Sequence, residues 1–530
     1  MAYAGTIALS GLSQWRIFQR TTRSGSTFSK GQGTVGLTVT PTVPVVLLEY
    51  QIRDANGGAV LVAWQTAASV IPASATAVSI TVPAPTAVST GVSRWYLVDF
   101  RPDSDDSKIV TTAELGMGEL TAFVGQSLAM DMLSPLATDS GTTAASVGVT
   151  ANAFSSCYAQ VWNSTMSASA ASTWAKPTSS TTGAFNSGTY NSSFVCRYLD
   201  LMVQATGVPC GMVGYAVGSQ DIRVFLPFTD PNWQADSNSG YATNGVICFN
   251  QLEAIINAAG GVFGSLIFCQ GHRNAINGST SSEYVGYLQT LINRLAADYP
   301  TIPFVRGVCT IPTVGNYTTL SNMNIIRLAG LTYVNGDSLA ELVDGLDAAN
   351  PNDLVHPTQA GNVPFAEAFF RAIAYKLGLI AAGPRGPQII SARRFSGNKV
   401  LLTLQHRTGT ALVGSGSIAN QFTCYAAGGF TTQYTVSAVD VTTYSNAILI
   451  TLSNPPSLSQ AIDVWYRYPP DSATIYAPSI RDNSSDAFLA TGRQLAMSNA
   501  SIQAAGASNV LTTGGRSIKL GSSNKALRVA

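Results

Sequence analysis

The sequence predicts an α/β domain flanked on both sides by β-rich regions. Three observations predict it. Between residues 120 and 378, apolar runs of strand length alternate with longer segments of helical periodicity. That alternation belongs to a parallel sheet covered on both faces by helices. Residues 1–117 instead carry short runs rich in Val, Leu, Ile, Thr and Tyr, broken by turn residues. The same pattern returns after Gly383-Pro384-Arg385-Gly386-Pro387, a linker by composition. The expected division is 1–117, 118–382, 387–470 and a polar arm at 471–530, in keeping with 530 residues being too long for one ordinary domain.

In the first region, strands are expected over 36–40, 45–53, 59–66, 78–82 and 94–100. Thr40-Pro41, Asn56-Gly57-Gly58, Pro83-Ala84-Pro85 and Pro102-Asp103 separate them. Short strands at this spacing predict a sandwich. In the second region, 120–124 reads as a buried strand. Ser192 caps a helix through 206, and a strand follows over 209–215. Helices are expected over 250–259, 281–297 and 358–377, and strands over 262–269 and 303–309. The Ser/Thr/Ala/Gly-rich stretch 134–192 holds Tyr158, Trp162, Trp174 and Tyr190. It reads either as a surface excursion or as a wall of a cleft whose aromatics stack on sugar rings. After the linker, strands over 388–392, 399–404, 422–426, 434–439, 447–452 and 461–466 predict a second sandwich. The arm beyond 470 lacks periodicity and is expected to order against a partner chain.

Composition excludes several classes. Charged residues make up 11% and hydrophobic residues 46%, which is not a disordered composition. The net charge of +1 offers no basic field for nucleic acid. No apolar run approaches the ~20 residues of a membrane span. Near-neutral charge also gives little colloidal protection, in keeping with a homo-oligomer or a place in a larger assembly. The seven cysteines are scattered, without a Cys-x-x-Cys pair, and read as buried small hydrophobes. The first residues lack the pattern of a signal peptide. No cluster has metal-ligand spacing, and no cofactor or metal is expected.

The chemistry centres on Gly125-Gln126-Ser127, the turn after the strand at 120–124. A serine there stands at the carboxyl edge of the sheet, where open α/β sheets bind ligands. Alone, such a serine is most often a helix cap. Asp353-Leu354-Val355-His356-Pro357 precedes the last helix. An Asp three residues before a His can set its carboxylate beside Nδ1 and leave Nε2 to take a proton from a serine. Gln270-Gly271-His272-Arg273-Asn274 follows another strand, and the Asn274 amide is a candidate oxyanion donor. Gly218, in Gly214-Tyr215-Ala216-Val217-Gly218, can offer a bare backbone N–H. His406 reads as a solvated strand end.

Together these four blocks resemble the SGNH (GDSL-type) hydrolase superfamily, and within it the sialate O-acetylesterase-like carbohydrate esterases. Gly125-Gln126-Ser127 matches their first block and Asp353 to Pro357 their last. Gln270-Gly271-His272-Arg273-Asn274 matches the third except at His272, where the family has Glu. The resemblance covers roughly residues 120–378. It implies a flavodoxin-like three-layer α/β/α domain and a serine esterase that removes O-acetyl groups from a polysaccharide or glycan. It assigns Ser127 as nucleophile, His356 as base and Asp353 as its orienting anion. The oxyanion hole would be the Ser127 and Gly218 backbone N–H groups with the Asn274 side chain. Two alternatives stand beside it: a non-enzymatic virion protein that only binds glycan, and a lipid or aryl esterase of the same superfamily. The flanking β regions, low charge and arm resemble bacteriophage tail or spike enzymes. The expected location is therefore a virion tail, with secretion by a route independent of a signal peptide as the alternative.

Overall fold

The computed structural model describes residues 2–23, 31–83, 95–133, 141–162, 173–180, 190–234, 248–309, 320–343, 356–414, 418–426, 432–457, 460–466, 480–489, 499–502, 510–513 and 516–519. The chain is a mixed α/β protein with β-rich regions on either side. Its central element is β1 (Leu115–Gly125), all eleven residues of which are buried. β2 (Ser155–Trp162), β3 (Cys210–Val217), β4 (Ser265–Cys269), β5 (Val305–Cys309) and β6 (Ala340–Val343) run parallel to it. Their order is β2-β3-β1-β4-β5-β6. The chain therefore steps to one side of β1 with β3 and to the other with β4. This is a topological switch point, where a crevice opens beyond the carboxyl ends of the strands.

The two faces of β1 go to two cores. Leu120, Ala122 and Val124 pack in one cluster with Leu252, Ile255 and Ile256 of α3 (Cys248–Ala258). Leu288, Leu291 and Ile292 of α5 (Ser281–Asp298) and Ile326 of α6 (Leu320–Gly336) join it. Phe123 lies in the other cluster with Met132 of α1 (Ser127–Leu133), Leu199 and Met202 of α2 (Ser193–Thr206), and Phe365 and Phe369 of α7 (Gln359–Lys376). Alternation along a strand sends successive side chains to opposite faces, so one buried strand serves both cores.

Ser192 caps α2 by accepting from the Phe194 N–H, and Thr358 caps α7 by accepting from the Gly361 N–H. Both helices begin where capping residues predict. Helix α6 and strands β2 and β6 were not expected. Helix α6 contains Asn322, Asn324, Gly330, Asn335 and Gly336, poor helix formers that hide its periodicity. The 134–192 stretch is more than an excursion, because its residues 155–162 pair with β3 along its whole length. Two of its aromatics go to the interior: Tyr190 is fully buried, with its hydroxyl accepting from the Ala159 N–H at 2.8 Å, and Trp174 is buried against Tyr158.

In the first region, Gly31–Pro41 pairs with Ile7–Ser10 and Thr76–Pro83. A second sheet pairs Val45–Asp54 with Val60–Ile71 and Tyr96–Pro102. Val35, Leu37, Ile80, Leu48, Ile52, Val98 and Phe100 of both sheets share one core. The expected divide at residue 117 falls inside β1, whose first residues pair with Arg16–Gln19. There the buried Glu119 carboxylate accepts from Arg20 Nε at 2.6 Å and from Gln19 Nε2 at 3.0 Å.

After the linker, Gln388–Ser396, Lys399–Gln405, Ala447–Leu452 and Val436–Asp440 form one sheet in that order, and Phe422–Ala426 pairs with Ile462–Tyr466 in another. Ile389, Val400, Leu402, Cys424, Ile448, Ile450 and Val464 are among their shared core. The arm departs from expectation in part. Ile480–Asp482 pairs with Leu412–Gly414, and Asn499–Ile502 pairs with Ile462–Tyr466. Asp486 bonds Arg371 of α7 at 2.9 Å, and Phe488 meets Phe370 edge-on at 5.6 Å. This segment docks on its own chain because it carries a charge and an aromatic ring that match α7. All seven cysteines are buried, and burial pushes the Cys196, Cys210 and Cys424 thiols up to about 12. No helix among the described residues is long and apolar enough to cross a membrane.

Asp486→Ala removes a buried partner of Arg371, and breaking a buried pair from one side costs about 3–5 kcal/mol. The variant is expected to unfold at a clearly lower denaturant concentration than the parent, measured by circular dichroism. An unchanged midpoint would mean that 480–489 does not hold α7.

Candidate active site

Three strands deliver the site. Gly125 stands level with Ala216 of β3 and Cys269 of β4. Ser127 is two residues beyond Gly125, as Gly218 and Gly271 are two residues beyond their partners. The three turns therefore leave the sheet side by side. Gly125 has to be glycine: a Cβ there would lie 2.0 Å from the Cys269 carbonyl oxygen. The Gln126 N–H donates to that same carbonyl at 3.2 Å, which fixes the turn before the serine. Ser127 begins α1 and is half-buried. Its hydroxyl makes no hydrogen bond among the described residues.

His356 comes from the segment before α7. The start of that helix is tied down twice. The Asn362 side chain donates to the Asp131 carbonyl of α1 at 3.3 Å, and Gln359 Oε1 accepts from the Ser193 N–H of α2 at 2.7 Å. These bonds bring the imidazole to α1. Its Nε2 lies 3.5 Å from Oδ2 of Asp131, a carboxylate 2% exposed. Asp131 is four residues after Ser127, and residues four apart share one face of a helix. Asp131 thus shares a face of α1 with Ser127, and His356 stands beside Asp131; no hydrogen bond among the described residues joins His356 to Ser127. Asp353 lies outside the described residues. Asp131 was missed in the sequence. Its signal was an acidic residue in the apolar run Leu128 to Leu133, one helical turn after the serine.

Beneath the turn lies a buried polar network. Gln126 Oε1 accepts from the Gly271 N–H at 3.4 Å, the Arg273 N–H at 3.2 Å and Gln270 Nε2 at 3.3 Å. Gln270 Nε2 also donates to the Gln220 carbonyl at 3.0 Å and Asn274 Oδ1 at 2.9 Å. Tyr284, from α5, donates its hydroxyl to the Gln270 carbonyl at 2.9 Å. His272, the departure from the family motif, is buried at the start of α4 (His272–Ile276).

Asn274 is fully buried. Its Oδ1 also accepts from the Ile222 N–H at 3.0 Å, and its amide donates to Asp221 Oδ1 at 3.0 Å and Ser279 Oγ at 3.1 Å. Both amide hydrogens are therefore committed, and none is left for an oxyanion. Sequence reasoning offered Asn274 as that donor because an Asn after a strand looks the same whether its amide faces a cleft or a carboxylate. Here the carboxylate is Asp221. Burial pushes the Asp221 carboxyl up, but bonds from Arg223 and Asn277 outweigh this and hold it below the usual range. Asn274 thus pins the loop that carries Gly218 to the β4 turn. Among the described residues, no three His, Cys, Asp or Glu side chains gather to hold a metal ion.

The whole fold matches that of a carbohydrate acetylesterase from Xanthomonas citri, with a TM-score of 0.59 at 14% identity over 93% of this chain and 99% of that one. A carbohydrate esterase family 2 enzyme with a carbohydrate-binding domain, from Corynascus thermopiles, aligns at a TM-score of 0.28 and 13% identity, over 70% of this chain and all of that one (100%). An Arabidopsis thaliana protein aligns at 0.31 and 11%, over 48% and 98%. No protein-family model and no curated protein matches the sequence.

Asn274→Ala is expected to act first on stability. It removes the donor to Asp221 and the acceptor of the Ile222 N–H, at a cost of about 2–4 kcal/mol for buried groups left unsatisfied. Chemical denaturation measures it. A variant as stable as the parent would contradict the structural role assigned to Asn274.

Proposed function

We propose that the chain is a serine esterase that removes O-acetyl groups from carbohydrate, on an SGNH-type, flavodoxin-like three-layer α/β/α domain spanning residues 118–382. The observation that carries this reading is the convergence at the switch point. The serine on the turn after β1 opens the helix whose Asp131 lies 3.5 Å from the imidazole of the histidine before α7. The likeness in fold to an acetylesterase over nearly the whole of both chains supports it. The flanking β regions are assigned to support or attachment.

The mechanism follows from the groups present. Ser127 Oγ attacks the acetyl carbonyl carbon while His356 takes the hydroxyl proton. For this, the imidazole turns Nε2 from Asp131 toward Ser127. Such catalytic bonds commonly close only when substrate is bound. Asp353 holds Nδ1 and sets the tautomer. The carbonyl oxygen becomes an oxyanion, held by the Ser127 and Gly218 backbone N–H groups. Collapse expels the sugar oxygen, which takes the proton from His356, and leaves acetyl on Ser127. Water then attacks this ester, with His356 again as base, and acetate departs. The chemistry needs no metal or cofactor.

Ser127→Ala and His356→Ala are each expected to lower acetate release by roughly 10⁴–10⁶-fold, since groups of one catalytic unit fail together. The assay measures acetate freed from an acetylated polysaccharide and from a soluble aryl acetate. Either variant within tenfold of the parent would sink its assignment. If the parent frees no acetate from either substrate but binds the polysaccharide, it is a glycan-binding protein instead.

A further inference from the structure

Tyr190 and Trp174 of the 134–192 stretch go to the interior. An exposed aromatic pair stands instead on the connection from β3 to α3, residues 218–247. Such a connection leaves the carboxyl end of a strand and enters the amino end of a helix. It therefore runs along the edge of the sheet where ligands bind. We propose that Phe228, backed by Trp233, is a sugar-binding platform that stacks on a ring of the polysaccharide beside the acetylated unit. This rests on the esterase reading of the same site.

Three observations support it. First, the start of the connection is fastened to the β4 turn. The Ile222 N–H donates to Asn274 Oδ1 at 3.0 Å, and Asp221 accepts from Asn274 and Asn277 at 3.0 Å each. The Arg223 guanidinium lies over the Tyr287 ring of α5 at 5.8 Å. Val224, Phe225 and Leu226 are buried, so the chain reaches Pro227 from a fixed base. Second, Phe228 is 58% exposed, the most exposed aromatic ring among the described residues. A lone exposed apolar side chain is ordinary. This one is held: its ring meets Trp233 edge-on, with centroids 4.8 Å apart, and Trp233 packs in turn against the core shared by α3 and α5. The Trp233 indole Nε1 is buried without an acceptor among the described residues. A ring placed only for its own packing rarely carries that cost. Third, the loop between the two rings is braced. Pro227 and Pro231 restrict its backbone. The Asp230 N–H donates to the Pro227 carbonyl at 2.8 Å, the Asn232 N–H to Asp230 Oδ1 at 2.8 Å and the Trp233 N–H to the Asp230 carbonyl at 3.0 Å. A ring fixed before binding loses little freedom when a ligand arrives.

The surroundings favour a sugar as the occupant. Thr229 and Asn232 are exposed beside the rings, and Asp230 is half-buried. A sugar ring presents C–H groups on its faces and hydroxyls at its rim. One aromatic face with hydroxyl, amide and carboxylate groups around it matches that pattern, whereas a lipid chain calls for a broader apolar surface.

Phe228→Ala removes the platform and Phe228→Tyr keeps it. Acetate release is measured from 4-nitrophenyl acetate and from acetylated xylan, glucomannan and pectin. The aryl acetate carries no sugar ring, so Phe228→Ala is expected to hold kcat and KM on it within about twofold of the parent. On the polysaccharide that the parent deacetylates best, KM is expected to rise roughly tenfold with kcat within about threefold, the weight of one aromatic contact used in binding. Phe228→Tyr is expected to bring KM back to within about threefold of the parent. An unchanged polysaccharide KM in Phe228→Ala would overturn the platform. An equal loss on both kinds of substrate would overturn it too, and leave Phe228 a structural residue. So would a Phe228→Ala chain of lower mass by light scattering with its polysaccharide KM unchanged, since the pair would then be a contact between copies. A parent that acts on the aryl acetate and on none of the polysaccharides would overturn the platform and leave the serine esterase standing. A parent inert on every substrate would overturn the esterase reading, and the inference with it.

Discussion

The molecule depends on β1 being buried along its whole length. A strand with no exposed residue must have its backbone groups paired on both sides, because a buried unpaired N–H or carbonyl costs as much as a lost hydrogen bond. Arg16–Gln19 and Tyr96 pair with its beginning, and β3 and β4 with its remainder. The strand thereby joins the N-terminal sheets to the α/β sheet as one element. It also fixes where the chain must turn. Beyond Gly125 the strand has nowhere to continue, and Ser127 emerges between two neighbouring turns whose positions the same register has set.

The ground beneath that turn is polar, which an interior tolerates only when the groups satisfy one another. Gln126, Gln270, Asn274, Asp221 and Arg223 are bonded in a chain that runs from the β1 turn through the β4 turn to the β3 loop. Each bond locks the next side chain in orientation. The network therefore behaves as a rigid base for the turn that carries Ser127 rather than as a set of independent donors. On this account the long-range placement of His356 is a separate matter. It depends on the start of α7 being fastened to α1 and α2 through Asn362 and Gln359.

Much of this was legible in the sequence. The strands at 399–404, 422–426 and 447–452 and the helix after Ser192 are local events, set by alternation, a cap and a run of suitable residues. Ser127 and His356 could be singled out as candidates, because each sits in a short block with its neighbours in sequence. What escaped were relations between distant residues. Gln126 and Gln270 are 144 residues apart, and only the register of β1 against β4 brings them together. Asn274 looked like a free donor because its partner Asp221 lies 53 residues away. Asp131 escaped for another reason: its meaning depends on which helix face turns toward α7. Helix α6 was hidden because its residues favour helix weakly and tertiary packing decides its form.

The central claim is that Ser127 becomes acetylated during turnover. The direct measurement is mass spectrometry of the full chain, quenched in acid within the first turnovers on an aryl acetate and then digested. The account predicts the mass of one acetyl group on the peptide that carries Ser127, and its absence from a Ser127→Ala protein treated alike. Rapid acetate release with no acetyl group on that peptide, or with the group on another residue, would contradict it.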